Sequence, residues 1–148
     1  MVAVAAVVAV DQTVKTVVMQ VAPLGTSIPL LPGALSLTHV HNPGVAFSLL
    51  PQVPLIVPAV IALTLLVLLF YNEARWARHP QAQWALALLS GGAVGNLIDR
   101  IRLGAVVDYI DVHVWPVFNL ADAAVTTGAV LLMLALAGRA DAISEGSR

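Results

Sequence analysis

The stretch from Gly91 to Asp122, GGAVGNLIDRIRLGAVVDYIDVHVWPVFNLAD, carries four of the chain's eight acidic residues, and the sequence on either side of it is apolar. Asp99, Asp108, Asp111 and Asp122 stand there with Asn96, Arg100, Arg102 and Asn119. Ionisable groups in or beside hydrocarbon-like sequence are expensive and mark function by default. Two carboxylates brought together in low dielectric cannot both ionise comfortably, so one keeps a proton. The ionised one can act as general base toward water while the protonated one polarises a carbonyl.

The rest of the chain has to place these groups in a membrane. Hydrophobic residues make up 59 % of the 148 residues and charged residues 10 %, against roughly 45–50 % and about 25 % in ordinary globular domains. A single small soluble domain has no interior for that much apolar surface, whereas a bilayer accepts it. A net charge of −1 argues against nucleic acid as a partner. Cysteine is absent, which excludes disulfides, thiol nucleophiles and thiolate metal sites. His39 and His41 are two apart with no third ligand nearby, so neither a metal site nor any cofactor is expected.

Residues 2–21 form the first predicted span. As a helix they rise about 30 Å, the thickness of the hydrocarbon core. No basic residue precedes the apolar run, unlike a cleaved signal peptide. Asp11 and Lys15 are four apart and share a helical face, so they can pair within the membrane. Residues 22–52 contain no Lys, Arg, Asp or Glu, and Pro23, Gly25, Pro29, Pro32 and Gly33 punctuate them. Such punctuation defeats a spanning helix. Short strands around Leu35, Leu37 and Val40 are expected at the membrane surface, followed by a turn at Asn42-Pro43-Gly44.

Further spans are predicted at about 53–71, 81–99 and 117–138, with a polar loop at 72–80 and a mobile polar tail at 139–148. Pro54 and Pro58 fall in the opening turns of the second span, where proline is tolerated. Gly91 and Gly95 make a GxxxG pattern in the third, which lets another helix approach closely. Asn96, Asp99 and Arg100 follow on one helical face. The fold class is therefore an all-α membrane protein, one domain of four transmembrane helices with a small β-rich outer segment between the first two.

Four spans put both termini on one side, together with Arg75, Arg78, Arg139 and Arg148. By the positive-inside rule that side is the cytoplasm. Asp108 then follows the outer end of span three, and Asp122 lies where span four re-enters. Asn42, Asn96, Asp99 and Arg100 belong to the same outer layer, with Asp11 deeper. A carboxylate pair in that layer has the makings of aspartic-protease chemistry. Asp111, three residues after Asp108, reads as a solvated loop residue. Arg102, His113 and Trp115 read as interfacial, and so do Trp76 and Trp84 beside the 72–80 loop.

At this point the chain resembles a known family, the bacterial lipoprotein signal peptidases (signal peptidase II, prolipoprotein signal peptidase). The resemblance is carried by Asp11-Gln12…Lys15, Asn42-Pro43-Gly44-Val45-Ala46-Phe47-Ser48, Gly91-Gly92-Ala93-Val94-Gly95-Asn96-Leu97-Ile98-Asp99-Arg100, Val106-Val107-Asp108-Tyr109-Ile110-Asp111 and Phe118-Asn119-Leu120-Ala121-Asp122. These runs occur in family order from the first span to the fourth. The resemblance implies an aspartyl endopeptidase of the bacterial inner (plasma) membrane, with its site near the outer face. Its substrates would be lipid-modified prolipoproteins, cut just before a cysteine carrying diacylglycerol, and membrane lipids would surround it. By the same match Asp108 and Asp122 are the catalytic pair. Asn42, Gly44, Asn96, Asp99, Arg100 and Asn119 line the site, with Asp11 and Lys15 in support.

Two other classes fit the composition. A proton conductor would space its ionisable groups through the bilayer depth, but here most sit at one boundary. A non-enzymatic assembly factor held by its GxxxG helix would leave the aspartates and asparagines unexplained.

Overall fold

The computed structural model describes residues 2–44, 54–71 and 80–145. Helix α1 (Val2–Val21) buries Val4, Asp11, Lys15 and Val18. Spacings of seven, four and three put these four on one stripe, so the two charged residues face inward. A three-stranded antiparallel sheet follows from β1 (Ser27–Leu31), β2 (Leu35–Asn42) and the later β3 (Val106–Asp111), in the order β1-β2-β3. Gly33, at φ 74°, turns the chain from β1 into β2. Register pairs Val40 with Asp108 and Ser36 with Asp111.

Helices α2 (Ile56–Tyr71), α3 (Pro80–Leu103) and α4 (Leu120–Glu145) complete the fold. Helix α3 is central and touches α1, α2 and α4. Its close approaches are made by glycines. A Cβ on Gly95 would lie 2.6 Å from the Asp11 carboxylate, and one on Gly92 would run into the Ala121 carbonyl oxygen. The small-residue face therefore serves helix packing on two sides, against α1 and against α4. Helix α3 ends at Gly104, φ 73°, whose N–H bonds to the Arg100 carbonyl at 3.1 Å. That is a left-handed C-terminal cap. The sheet sits where α1 and α3 end and α4 begins, so all three deliver their polar residues to one end of the bundle.

Several expectations need correction. The connection after the third helix is not wholly irregular, because residues 106–111 pair with β2 and supply the sheet's third strand. Alternation in VVDYID was masked by burial of its first four residues, which leaves no polar face to read. Asp111 is accordingly a strand residue and not a loop one. Helix α3 runs four residues beyond the expected end. Helix α4 begins at Leu120 rather than Val117, because Phe118 bridges to Ile110 in a short antiparallel contact. It continues to Glu145, so most of the expected polar tail is helical. The 72–79 loop, residues 45–48 and residues 146–148 lie outside the described residues.

Among the described residues two helices are long and apolar enough to cross a membrane, Val2–Val21 and Leu120–Gly138, and α2 has a shorter apolar run, Ile56–Leu68. Their outward faces carry Val10, Val17, Leu63, Val67, Met133 and Leu134. Contiguous exposed apolar surface of this kind suits lipid rather than water.

Candidate active site

Burial of charge organises this end of the bundle. Lys15 is 1 % exposed, and an ammonium group there must spend all three donors. It does so on Asp99 Oδ2 at 2.7 Å, Asp11 Oδ2 at 2.9 Å and Asn96 Oδ1 at 3.0 Å. The remaining carboxylate oxygens are also satisfied. Asp11 Oδ1 accepts the Ala121 N–H at 3.1 Å and Asp99 Oδ1 accepts from Gln12 Nε2 at 2.9 Å, while Asp99 Oδ2 also takes the Val107 N–H at 3.2 Å. One ion cluster thus ties α1 to α3, to β3 and to the first turn of α4.

Asn96 passes this order on. Because an ammonium has only donors, Lys15 fixes the Asn96 oxygen toward itself. The Asn96 amide nitrogen is left to donate to Asp122 Oδ1 at 2.8 Å. Asp122 is the third helical residue of α4 and forms a reciprocal cap with Asn119. Its N–H donates to Asn119 Oδ1 at 2.9 Å, and its Oδ2 accepts the Asn119 N–H at 3.3 Å. That arrangement is a capping box built from Asn and Asp.

Asn119 then reaches the other aspartate. Its side-chain nitrogen donates to Asp108 Oδ1 at 2.6 Å and to Asn96 Oδ1 at 3.2 Å. Asn42, at the end of β2, donates to Asp108 Oδ2 at 2.8 Å. Asp108 lies on β3 and is 2 % exposed. Burial pushes its carboxyl up to about 6; the two amides and Lys15 pull it down, and the Asp122 charge pushes it further up. Next to it Tyr109, pushed up to about 12 mainly by burial, accepts the Leu120 N–H at 3.3 Å.

The Asn42 turn is closed locally by the Gly44 N–H to Asn42 Oδ1 at 2.9 Å. Arg100 clamps it from α3, donating to the Gly44 carbonyl at 2.7 Å and to the Asn96 carbonyl at 3.1 Å. Asp108, Asp122, Asn42, Gly44, Asn96, Asp99, Arg100, Asn119, Asp11 and Lys15 therefore lie in one continuous network of hydrogen bonds and ion pairs. Chemically, the network presents two carboxylates on separate elements, each held by amide donors.

Asp111 falls outside this network. Its oxygens accept the Thr38 hydroxyl and the His113 N–H, both at 2.9 Å. These two donors, the backbone one foremost, hold its carboxyl below the usual range. Three residues apart on a strand, Asp108 and Asp111 point to opposite faces. Gln12 was passed over as a site residue. Its Nε2 contacts Asp99 Oδ1 at 2.9 Å, the Gly95 carbonyl at 3.1 Å and Asp11 at 3.2 Å. An amide beside a charge in an apolar helix was the available signal. Arg102, read as interfacial, reaches Gln12 Oε1 at 3.4 Å. His39 bonds the Ala22 carbonyl at 2.8 Å, and no group of three metal-ligating side chains occurs among the described residues.

Known proteins resemble this chain over most of its length. A "Lipoprotein signal peptidase" of Pelotomaculum thermopropionicum is 44 % identical over 146 residues, 98 % of this chain and 95 % of that protein. Another of the same name from Halothermothrix orenii is 45 % identical over 132 residues, covering 88 % and 89 %. A solved structure described as a bacterial membrane enzyme superposes with a TM-score of 0.83 at 32 % identity, covering 93 % of this chain and 86 % of its own. With that membrane enzyme as its structural neighbour, and matched from residue 3 to residue 137 by the model for "Signal peptidase (SPase) II", this chain belongs to the signal peptidase II family.

Proposed function

We propose that the protein is a membrane-embedded aspartyl endopeptidase that removes the signal peptide from diacylglyceryl-modified prolipoproteins, cutting just before the lipidated cysteine. Asp108 and Asp122 act as the acid–base pair. The observation that carries this reading is Asn119, whose side chain holds Asp108 while its main chain and Oδ1 cap Asp122. One ionised carboxylate takes a proton from water, and the other, protonated, donates to the scissile carbonyl. A group near 6 can serve on either side of that exchange at neutral pH.

The four helices cross the membrane, both termini face the cytoplasm, and the site lies near the outer face. Supporting this, the polar network gathers at one end of the bundle, beneath a sheet without a single Lys or Arg in its strands. Helix α3, at 24 residues, rises about 36 Å, enough to span despite its polar last turns. Reporter fusions after Arg78 and near Gly33 test the orientation, with cytoplasmic and outer signals expected respectively.

The function is tested by incubating the purified protein with a diacylglyceryl-modified prolipoprotein and following loss of the signal peptide. Cleavage should require both aspartates and survive strong chelators. Absence of cleavage by the wild-type protein overturns the assignment.

A further inference from the structure

Beside Asp122 lies a groove of about 540 Å³ that the chemistry of the carboxylate pair does not use. Val112, Trp115 and Phe118, from the β3–α4 connection, wall it against Thr126 and Thr127 one turn further along α4. Both threonines are exposed, so on the proposed topology the groove opens toward the bilayer from the cleavage site.

The wall is held in place by the sheet. His113 adopts a left-handed backbone, φ 62°, which a non-glycine residue takes only when its surroundings fix it. Its N–H bonds Asp111, its ring lies 3.4 Å from the same carboxylate, and its Nε2 is 3.2 Å from Ser36 Oγ. Asp111 is in turn held by Thr38, whose hydroxyl also meets Ser27 at 2.7 Å. On the far side, Phe118 exchanges main-chain hydrogen bonds with Ile110 at 2.7 and 3.0 Å. The segment between is fastened at both ends.

Size and polarity select the occupant. One turn of helix with its side chains, about 10 Å wide, fills about 420 Å³. The groove therefore holds about one turn, far less than a spanning signal helix. An extended peptide would bring N–H and C=O groups that each need a partner. Of this lining Val112, Phe118 and Ala123 bring no side-chain partner, the Asp122 carboxylate is held by Asn96 and Asn119, and a helix can engage its two threonine hydroxyls itself. A hydrocarbon chain brings no such demand. Resting on the proposed function above, we infer that the groove seats one acyl chain of the substrate's diacylglyceryl group. Trp115 and Thr127 set the chain length accepted, and Asp111 and His113 are positioning residues for the wall.

The test uses the full-length protein in mixed micelles and one prolipoprotein carrying short, medium or long acyl chains, with kcat and KM measured separately. Trp115→Ala is expected to change the ratio of KM values between long and short chains by about tenfold, the low end of what one methylene supplies in an apolar pocket. Thr127→Leu narrows the groove and should raise KM for long chains selectively. His113→Asn keeps a residue that tolerates the left-handed backbone but loses the ring contacts, and it should raise KM for long chains while thermal stability is retained. Trp84→Ala, at the opposite end of α3, is the control and should keep the wild-type ratio. If wild-type protein cleaves these substrates but Trp115→Ala and Thr127→Leu both keep the wild-type chain-length ratio, the groove assignment falls and the proposed function stands. A shift in preference for residues ahead of the cleavage site, without a chain-length effect, overturns it equally. Failure of the wild-type protein to cleave any of them is instead the failure of the proposed function.

Discussion

Asn119 Nδ2 lies 2.6 Å from Asp108 Oδ1, and this single amide joins the strand that carries one aspartate to the helix that carries the other. The two functions of Asn119 are separable. Asn119→Ser keeps an N-cap oxygen but loses the donor to Asp108. Loss of a hydrogen bond to a charged group costs about 1.5–3 kcal/mol of stability, so Asn119→Ser should melt below wild type and, with Asp108 no longer held, kcat/KM should fall as well. Asn119→Ala loses the cap as well, about 1 kcal/mol of stability. Equal melting temperatures for the two variants would show that Asn119 does not cap α4.

Lys15 offers a second separation. Lys15→Met leaves Asp11 and Asp99 buried without their cation, and breaking a buried pair in this way costs about 3–5 kcal/mol. Adding Asp99→Asn removes one of the two stranded charges and should recover much of that stability. Activity should stay low in the double variant, because only the longer Asn119 contact at 3.2 Å then holds the Asn96 oxygen away from Asp122. Recovery of turnover together with stability would reduce Lys15 to a structural ion.

The pH dependence follows from Asp108. Its folded value of about 6 lies above its ordinary 3.8, chiefly through burial, so the folded state binds this proton more tightly than the unfolded one. The contribution to stability is present below 3.8 and is lost as pH rises through about 6. Asp108→Asn should therefore lose less stability than wild type between those two values. In kinetics, one limb of the pH–kcat/KM profile should fall near 6. The Asn42 amide favours the ionised form, so Asn42→Ala should move that limb to higher pH. A limb that stays in place would detach it from Asp108.

Arg100 donates from both terminal nitrogens, to the Gly44 and Asn96 carbonyls. Lys keeps the charge but cannot reproduce the planar fork. Arg100→Lys should impair cleavage by loosening the Asn42 turn, and an unimpaired variant would make the clamp dispensable.

Much of this was legible because charge in an apolar chain has few places to go. Asp11, Lys15, Asp99 and Asn96 announced themselves by standing in predicted helices, and GxxxG announced a close helix contact. The third strand was hidden, since VVDYID is buried at its first four positions and shows no alternation. The start of α4 was misplaced by three residues because apolar Val117 and Phe118 continue the hydropathy of the helix that follows them. The clasp of Asp111 on Thr38 and His113 depends on register between β2 and β3, and a one-residue difference in pairing reverses which face a side chain takes.

The carboxylate pair gives the most direct test. Asn is nearly isosteric with Asp and still hydrogen-bonds, but it cannot exchange the proton. Asp108→Asn and Asp122→Asn should each abolish processing of a lipid-modified substrate while both proteins fold and bind it. The members of a catalytic unit are not additive, so the double variant should be scarcely worse than either single one. Asp111→Asn should keep most of its turnover, since its amide oxygen can still accept the His113 N–H while its NH2 donates to the Thr38 hydroxyl, and the residue faces away from Asp108. Thermal unfolding measured alongside separates lost chemistry from lost fold. Robust turnover by either single variant would remove Asp108 and Asp122 as the pair, and loss at Asp111 with survival at Asp108 would move the chemistry to the other face of β3.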